Sequence, residues 1–121
     1  MLSDESERIV QNKSRLFAIR SIRLYQHLCQ SKHEYILSKQ FLRCGTSIGA
    51  NLAEAECAVS RKDFISKIYI AFKESSECLY WLDLLHATDY LSDSEFSSIH
   101  ADCLELHKLL SAITKTLRNN C

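Results

Sequence analysis

A row of polar side chains at helical spacing is the first candidate for chemistry in this sequence. Its members recur every three or four residues and would share one face of a helix: Gln40, Arg43, Ser47, Asn51 and Glu54. Amide, guanidinium and carboxylate groups on one face could bind a ligand. They could also satisfy one another's hydrogen bonds in a polar seam between helices or subunits. We favour the seam, in which Arg43 would pair with Glu54, Glu74 or Glu77.

The only two glycines of the chain, Gly45 and Gly49, lie beside this row, and the chain contains no proline. A glycine inside a helix costs about 1 kcal/mol relative to alanine. We expect the compensation to be the close approach of a neighbouring helix, as in small-xxx-small packing seams. Both glycines are therefore assigned to the same interface as the polar row.

A second candidate for chemistry is a metal site near the C-terminus. His100, Cys103 and His107 lie at i, i+3 and i+7, and could hold zinc together with a fourth ligand. Cys103 also belongs to an apolar heptad, which favours packing instead. The sequence has no phosphate-binding glycine loop, no nucleophile elbow and no paired E-x-x-H motif. We therefore predict no cofactor and no enzymatic activity, although subunits could still assemble a site between them.

Charge is unevenly distributed, although the net charge is zero. Residues 8–43 contain eight basic residues and one acidic residue, whereas residues 74–105 contain eight acidic residues and no lysine or arginine. The basic segment could dock on the acidic one, in the same subunit or the next. Alternatively, its side chains could contact the phosphates of RNA or DNA, with these residues as candidates: Lys13, Arg15, Arg20 and Arg23. The zero net charge favours docking.

Four helices must position these side chains. Apolar residues recur at three- and four-residue steps, and a β-rich fold would need more glycine and proline for its turns. Capping boxes are predicted at Ser60 with Asp63 and at Ser92 with Glu95, whereas the second helix could be capped by Ser31 with Glu34 or by Ser38. The prediction is an all-α, antiparallel up-down-up-down four-helix bundle forming a single domain over residues 1–121, with helices at about 7–30, 37–58, 61–90 and 93–118. Residues 1–6 and 119–121 are expected to be frayed.

More apolar side chains are present than one bundle needs to bury. Leu16 and Ile19 lie among arginines on the first helix, and the third helix is apolar on several sides around Trp81. A helix with more than one apolar side has more than one neighbour, which here could be another subunit. No signal peptide and no apolar stretch of about 20 residues is present, so we expect a cytoplasmic protein without a membrane segment. The six cysteines are then expected to be mostly buried thiols.

The second and third helices closely resemble the four-helix-bundle proteins called 23S rRNA intervening-sequence proteins. Members carry a Q-x-x-R-x-x-x-S-I-x-x-N-x-x-E-A run, then D-F-x-x-K, A-x-K-E and Y-W-L. The same motifs occur here as Gln40–Ala55, Asp63–Lys67, Ala71–Glu74 and Tyr80–Leu82. The resemblance implies a cytoplasmic bacterial protein that forms ring-shaped homo-oligomers, with five copies expected, and it implies no enzyme. A related branch, the accessory proteins of diversity-generating retroelements, binds nucleic acid; that branch is strongly basic, whereas this chain is neutral.

Two functional hypotheses follow from these patterns. The first is a non-enzymatic, homo-oligomeric scaffold or interaction protein whose main partner is a second copy of itself. The alternative is a weak RNA- or DNA-binding accessory protein that uses the basic residues of the first two helices.

Overall fold

The protein, described here by a computed structural model over residues 3–119, consists of four α-helices. They are α1 (Asp4–Lys32), α2 (Leu37–Glu56), α3 (Arg61–Ala87) and α4 (Asp93–Asn119). Consecutive helices pack against each other and α4 closes back on α1. Within residues 3–119 the diagonal pairs, α1 with α3 and α2 with α4, have no Cα atoms within 8 Å of each other, and no strand is present. The predicted all-α, up-down-up-down four-helix bundle is confirmed.

The first helix begins three residues before the predicted boundary. Ser3 has an extended backbone, and its side chain accepts a hydrogen bond from the Ser6 amide at 3.1 Å. Asp4 and Glu5 place negative charge at the positive end of the helix. The helix therefore includes residues 4–6, which were predicted to belong to the frayed N-terminal end. Residues 1, 2, 120 and 121 lie outside the described part of the chain, and Asn119 is the last residue of α4.

The turn before α2 is held by Glu34 instead of by a serine. Its carboxylate accepts hydrogen bonds from the backbone amides of Ile36, Leu37 and Ser38, the last at 2.7 Å. The Ser38 hydroxyl donates back to the Glu34 carbonyl. Burial alone would raise the pKa of Glu34, but these backbone hydrogen bonds outweigh it and lower the pKa below its ordinary value. Of the two predicted caps, Ser38 takes part and Ser31 does not.

The other helix ends follow local chemistry. The box at Ser92 forms in full, since Ser92 exchanges hydrogen bonds with Glu95. At Ser60 only half of the box forms, because Ser60 accepts from the Asp63 amide but the Asp63 carboxylate accepts from the Val59 amide. The third helix ends at Ala87, three residues earlier than predicted, and Asp89 takes a left-handed conformation with φ of 68°. The second helix ends at Glu56. Val59, three residues beyond this end, is 93% exposed.

The core lies between the four helices and is lined by the predicted apolar faces. Its largest fully buried side chains come from all four helices: Leu28, Phe41, Ile48, Ile68, Leu82, Leu85, Leu106 and Leu110. Three buried thiols join them, because Cys44, Cys78 and Cys103 meet from α2, α3 and α4. Hydrogen bonds with Cys103 and Cys44, together with burial, raise the pKa of the Cys78 thiol. These cysteines behave as buried apolar groups, whereas Cys57 is exposed.

Both glycines of α2 lie directly against serines of α1. A Cβ at Gly45 would lie 2.7 Å from the Cβ of Ser21 and closer still to its hydroxyl oxygen. A Cβ at Gly49 would lie 3.3 Å from the hydroxyl oxygen of Ser14. Ser21 and Ser14 are buried and donate their hydroxyls to carbonyls of their own helix. The helix backbones therefore approach closely here.

We expect Gly45→Ala to destabilise the bundle by about 2 kcal/mol. Because the new Cβ would lie 2.7 Å from the Cβ of Ser21, overpacking is expected at the upper end of about 1–3 kcal/mol, and a gain of about 1 kcal/mol in helix propensity offsets only part of this cost. Urea denaturation followed by circular dichroism measures the loss.

Two further variants test the cause. Adding Ser21→Gly to Gly45→Ala removes the clashing atoms and should restore part of the stability. Gly49→Ala meets only a 3.3 Å neighbour and should change the free energy of unfolding by less than about 1 kcal/mol. A Gly45→Ala protein as stable as the wild type would contradict the close approach.

Candidate functional site

An ionic cluster joins α2 to α3 at the centre of the predicted polar seam. The Arg43 guanidinium donates to Glu74, with 3.2 Å between Nη1 and Oε2, and also to Glu77. The Trp81 indole donates to the same Glu77 carboxylate at 2.9 Å. The structure thus selects Glu74 and Glu77, and not Glu54, as the partners of Arg43.

The cluster keeps its charges. The hydrogen bond from Trp81 lowers the pKa of Glu77, burial opposes it, and the hydrogen bond and charge of Arg43 lower it further. The hydrogen bond to Glu77 raises the pKa of Arg43 against the effect of burial, with a further contribution from the charge of Glu74. The Glu74 side chain is only 18% exposed, whereas that of Arg43 is 49% exposed. The cluster therefore lies at the boundary between core and solvent.

The rest of the row does not converge on one point. Asn51 donates to the Ser47 carbonyl of its own helix at 2.9 Å, and Gln40 is exposed. Glu54 forms an ion pair with Lys67 of α3, with 3.0 Å between Oε1 and Nζ. In two antiparallel helices, the residue numbers of each contacting pair add up to nearly the same value. If Arg43 pairs with Glu77, position 54 therefore lies opposite position 66. This rule could have identified the neighbouring Lys67 as the partner of Glu54 from the sequence.

The metal candidate on α4 does not assemble. His107 stacks on Phe72 with 5.0 Å between ring centroids, its Nδ1 lies 2.9 Å from the Ser75 hydroxyl, and burial lowers its pKa. His100 packs against Phe96, and Cys103 lies in the buried thiol group. Within residues 3–119, no three His, Cys, Asp or Glu side chains are placed to hold a metal ion.

Half of the candidate nucleic-acid contacts are ion-paired inside the chain. Lys13 reaches Glu105, and Arg20 reaches Asp102, each across 2.7 Å to α4. Arg20 also donates to the Ser98 carbonyl. The basic helix thus docks on the acidic one in the same chain. Arg15 and Arg23 are exposed instead, and Arg23 donates only to the neutral Gln26.

Two helices carry large apolar side chains on their solvent side. On α1 the most exposed is Leu16, at 63%, and on α3 it is Tyr80, at 57%. The complete set is Ile9, Leu16, Ile19 and Ile22 on α1, with Ile70 and Tyr80 on α3. Sequence analysis identified Leu16 and Ile19 as a second surface but missed Ile9, Ile22 and Ile70. These residues do not share the three- and four-residue spacing of the buried residues of their helix, and this difference could have identified them from the sequence.

A shallow groove between α1 and α4 was not predicted. Its larger cavity, of about 250 Å³, has an apolar floor and a polar rim that includes His27 and Glu95. The His27 Nε2 atom is shielded from solvent, lacks a hydrogen-bond partner and lies 3.6 Å from a Glu95 carboxylate oxygen. The groove marks the loosest of the four helix–helix contacts.

The bundle and its polar seam can now be compared with known proteins. Residues 6–112 match the family model described as 23S rRNA-intervening sequence protein. The chain belongs to this family. The family resemblance noted from the α2 and α3 motifs is thereby confirmed.

One solved structure extends the comparison. A crystal structure at 1.70 Å resolution shows a protein of unknown function from the S23 ribosomal protein family of Bacteroides thetaiotaomicron VPI-5482. It is 48% identical to this chain, covers 91% of this chain and 98% of its own, and has a TM-score of 0.88. None of the curated proteins matches the chain. Among the described residues, no helix has the length and apolar character that crossing a membrane requires.

We expect Arg43→Ala to reduce the free energy of unfolding by about 1 kcal/mol. The substitution leaves the carboxylates of Glu74 and Glu77 near each other without their shared cation, while partial exposure limits the cost. Urea denaturation measures the change. Lys39→Ala, at an exposed position of the same helix, is the control and should change stability by less than about 0.5 kcal/mol. Equal stabilities for the two variants would contradict the role of the seam.

Proposed function

We propose that this family member is a non-enzymatic, self-associating scaffold or interaction protein of the cytoplasm. The observation that carries the proposal is the solvent side of α1, where four isoleucine and leucine side chains are at least 40% exposed. Contiguous exposed apolar side chains on a soluble domain are typical of interaction sites. The five-copy ring implied by the family resemblance is the expected assembly.

The internal ion pairs support this proposal. Lys13 and Arg20 pair with acidic residues of α4, and Arg43 pairs with acidic residues of α3, so three of the eight basic residues in the basic segment stabilise the subunit itself. Each pair is partly exposed and contributes little energy alone, but together they fix how the helices lie against each other. The solvent side of α1 then combines four exposed apolar side chains with Arg15 and Arg23, which lie among them.

Light scattering after size exclusion tests self-association. We expect a single species at micromolar concentration with a mass several times the 13.9 kDa of one chain. The mass should persist at high salt if apolar burial dominates the contact. A mass of 13.9 kDa at all concentrations tested would rule the proposal out.

A second candidate function is weak binding of RNA or DNA. The observation that favours it is the exposure of Arg15 and Arg23 on one helix that carries no acidic residue from position 8 to position 32. Two outward guanidinium groups could each contact a phosphate, and several copies in an assembly would add their contacts.

Fluorescence anisotropy with structured RNA and duplex DNA at low salt tests this second function. Arg15→Ala with Arg23→Ala should weaken binding and lower the slope of log K against log salt by about 2 per chain. Lys108→Ala with Lys115→Ala, which removes the same charge from exposed positions of α4, is the matched control. No measurable affinity of the wild-type protein at low salt would exclude this function.

A further inference from the structure

The exposed large apolar side chains on the helices of the bundle belong to two helices that are not neighbours. The α1 face comprises Ile9, Arg15, Leu16, Ile19, Ile22 and Arg23, and the α3 face comprises Ile70, Tyr80 and Asp83. Within the described chain, α1 and α3 are diagonal helices with no Cα atoms within 8 Å of each other. The two faces therefore point outward from opposite sides of the bundle.

The two faces carry opposite charge. The α1 face is positive, since Arg15 has no partner among residues 3–119 and Arg23 has only a neutral one. On α3, Glu74 and Glu77 together carry one negative charge more than Arg43, which they share. Asp83 adds another negative charge and the exposed Lys73 offsets one of them, so this side is weakly negative. Asp83 is exposed and has no partner within the described residues. Opposite charges on two surfaces of one chain are complementary when two copies meet.

The two faces also match in length and in side-chain type. Thirteen residue steps separate Ile9 from Ile22, and the same number separates Ile70 from Asp83, so each face extends about 20 Å along its helix. Tyr80 offers an exposed aromatic ring of the kind on which an arginine of the α1 face can stack. The α1 face thus supplies guanidinium groups, and the α3 face supplies an aromatic ring and a carboxylate that can bind them.

We propose that the α1 face of one copy packs against the α3 face of a second copy. The proposal rests on the self-association proposed above and names its contact. An α1–α1 contact would bring the arginines of two copies together, which like-charge repulsion disfavours. An α1–α3 contact is heterologous and leaves one free α1 face and one free α3 face at the ends of any open chain. Addition of copies continues until the rotation closes a ring.

Three double variants test the contact. Leu16→Glu with Ile19→Glu disables the α1 face, and Ile70→Lys with Tyr80→Lys disables the α3 face. Ser97→Glu with Ala101→Glu places the same new charges on exposed positions of α4 as a control. All six positions are exposed, so we expect wild-type circular dichroism from each protein. Light scattering should give 13.9 kDa for each face variant alone and the wild-type mass for the control.

Mixing the two face variants provides the decisive measurement. One retains a working α3 face and the other a working α1 face, so an equimolar mixture should form a heterodimer of twice 13.9 kDa and stop there. Recovery of assembly also shows that both variants are folded. Self-association of the α3-face variant alone would overturn the proposal in favour of an α1–α1 contact. If both face variants kept the oligomeric mass of the wild type, the contact would lie elsewhere on the bundle. A monomeric wild-type protein would refute self-association itself.

Discussion

The close approach of α1 to α2 at Gly45 and Gly49 is the constraint on which the rest of the bundle depends. Ser21 and Ser14 occupy the space that side chains at those glycines would need. The contact therefore sets the rotation of α1 about its own axis. That rotation turns Phe17 into the core and leaves the isoleucines and Leu16 facing solvent. One packing contact thus determines both the core stripe and the outer surface.

Electrostatics complements this packing. Arg43 bridges two carboxylates of α3, while Lys13 and Arg20 reach acidic residues of α4. These pairs are partly exposed, so each contributes modestly, but they oppose sliding of one helix along another. Three of the eight basic residues in the basic half thus hold the subunit together. On the outer side of α1, Arg15 and Arg23 have no ion-pair partner within the described chain and lie among exposed apolar side chains, which suits a protein interface better than an extended polyanion site.

Much of the fold could be predicted because helix positions depend on short-range sequence patterns. Apolar steps of three and four residues located all four helices, and the boxes at Ser60 and Ser92 located two helix starts. The candidate site was only partly predictable. Arg43, Glu74 and Glu77 meet, but Glu54 turns to Lys67. The metal candidate shared a helical side by spacing, yet His107 is held by Phe72 and Ser75, which belong to a different helix.

By itself the sequence determined helix content, the starts of three of the four helices, family membership and the choice of buried side chains, because these depend on periodicity, capping and motif. Only the tertiary structure decided which partner each charged group takes, since ion pairing depends on the register between helices. It alone assigned the α1 and α3 faces to opposite sides of the bundle. Exposure of Ile9, Ile22 and Ile70 likewise follows from how the helices are rotated against each other. Helical spacing places residues on a side, but packing decides whether that side meets a neighbour or solvent.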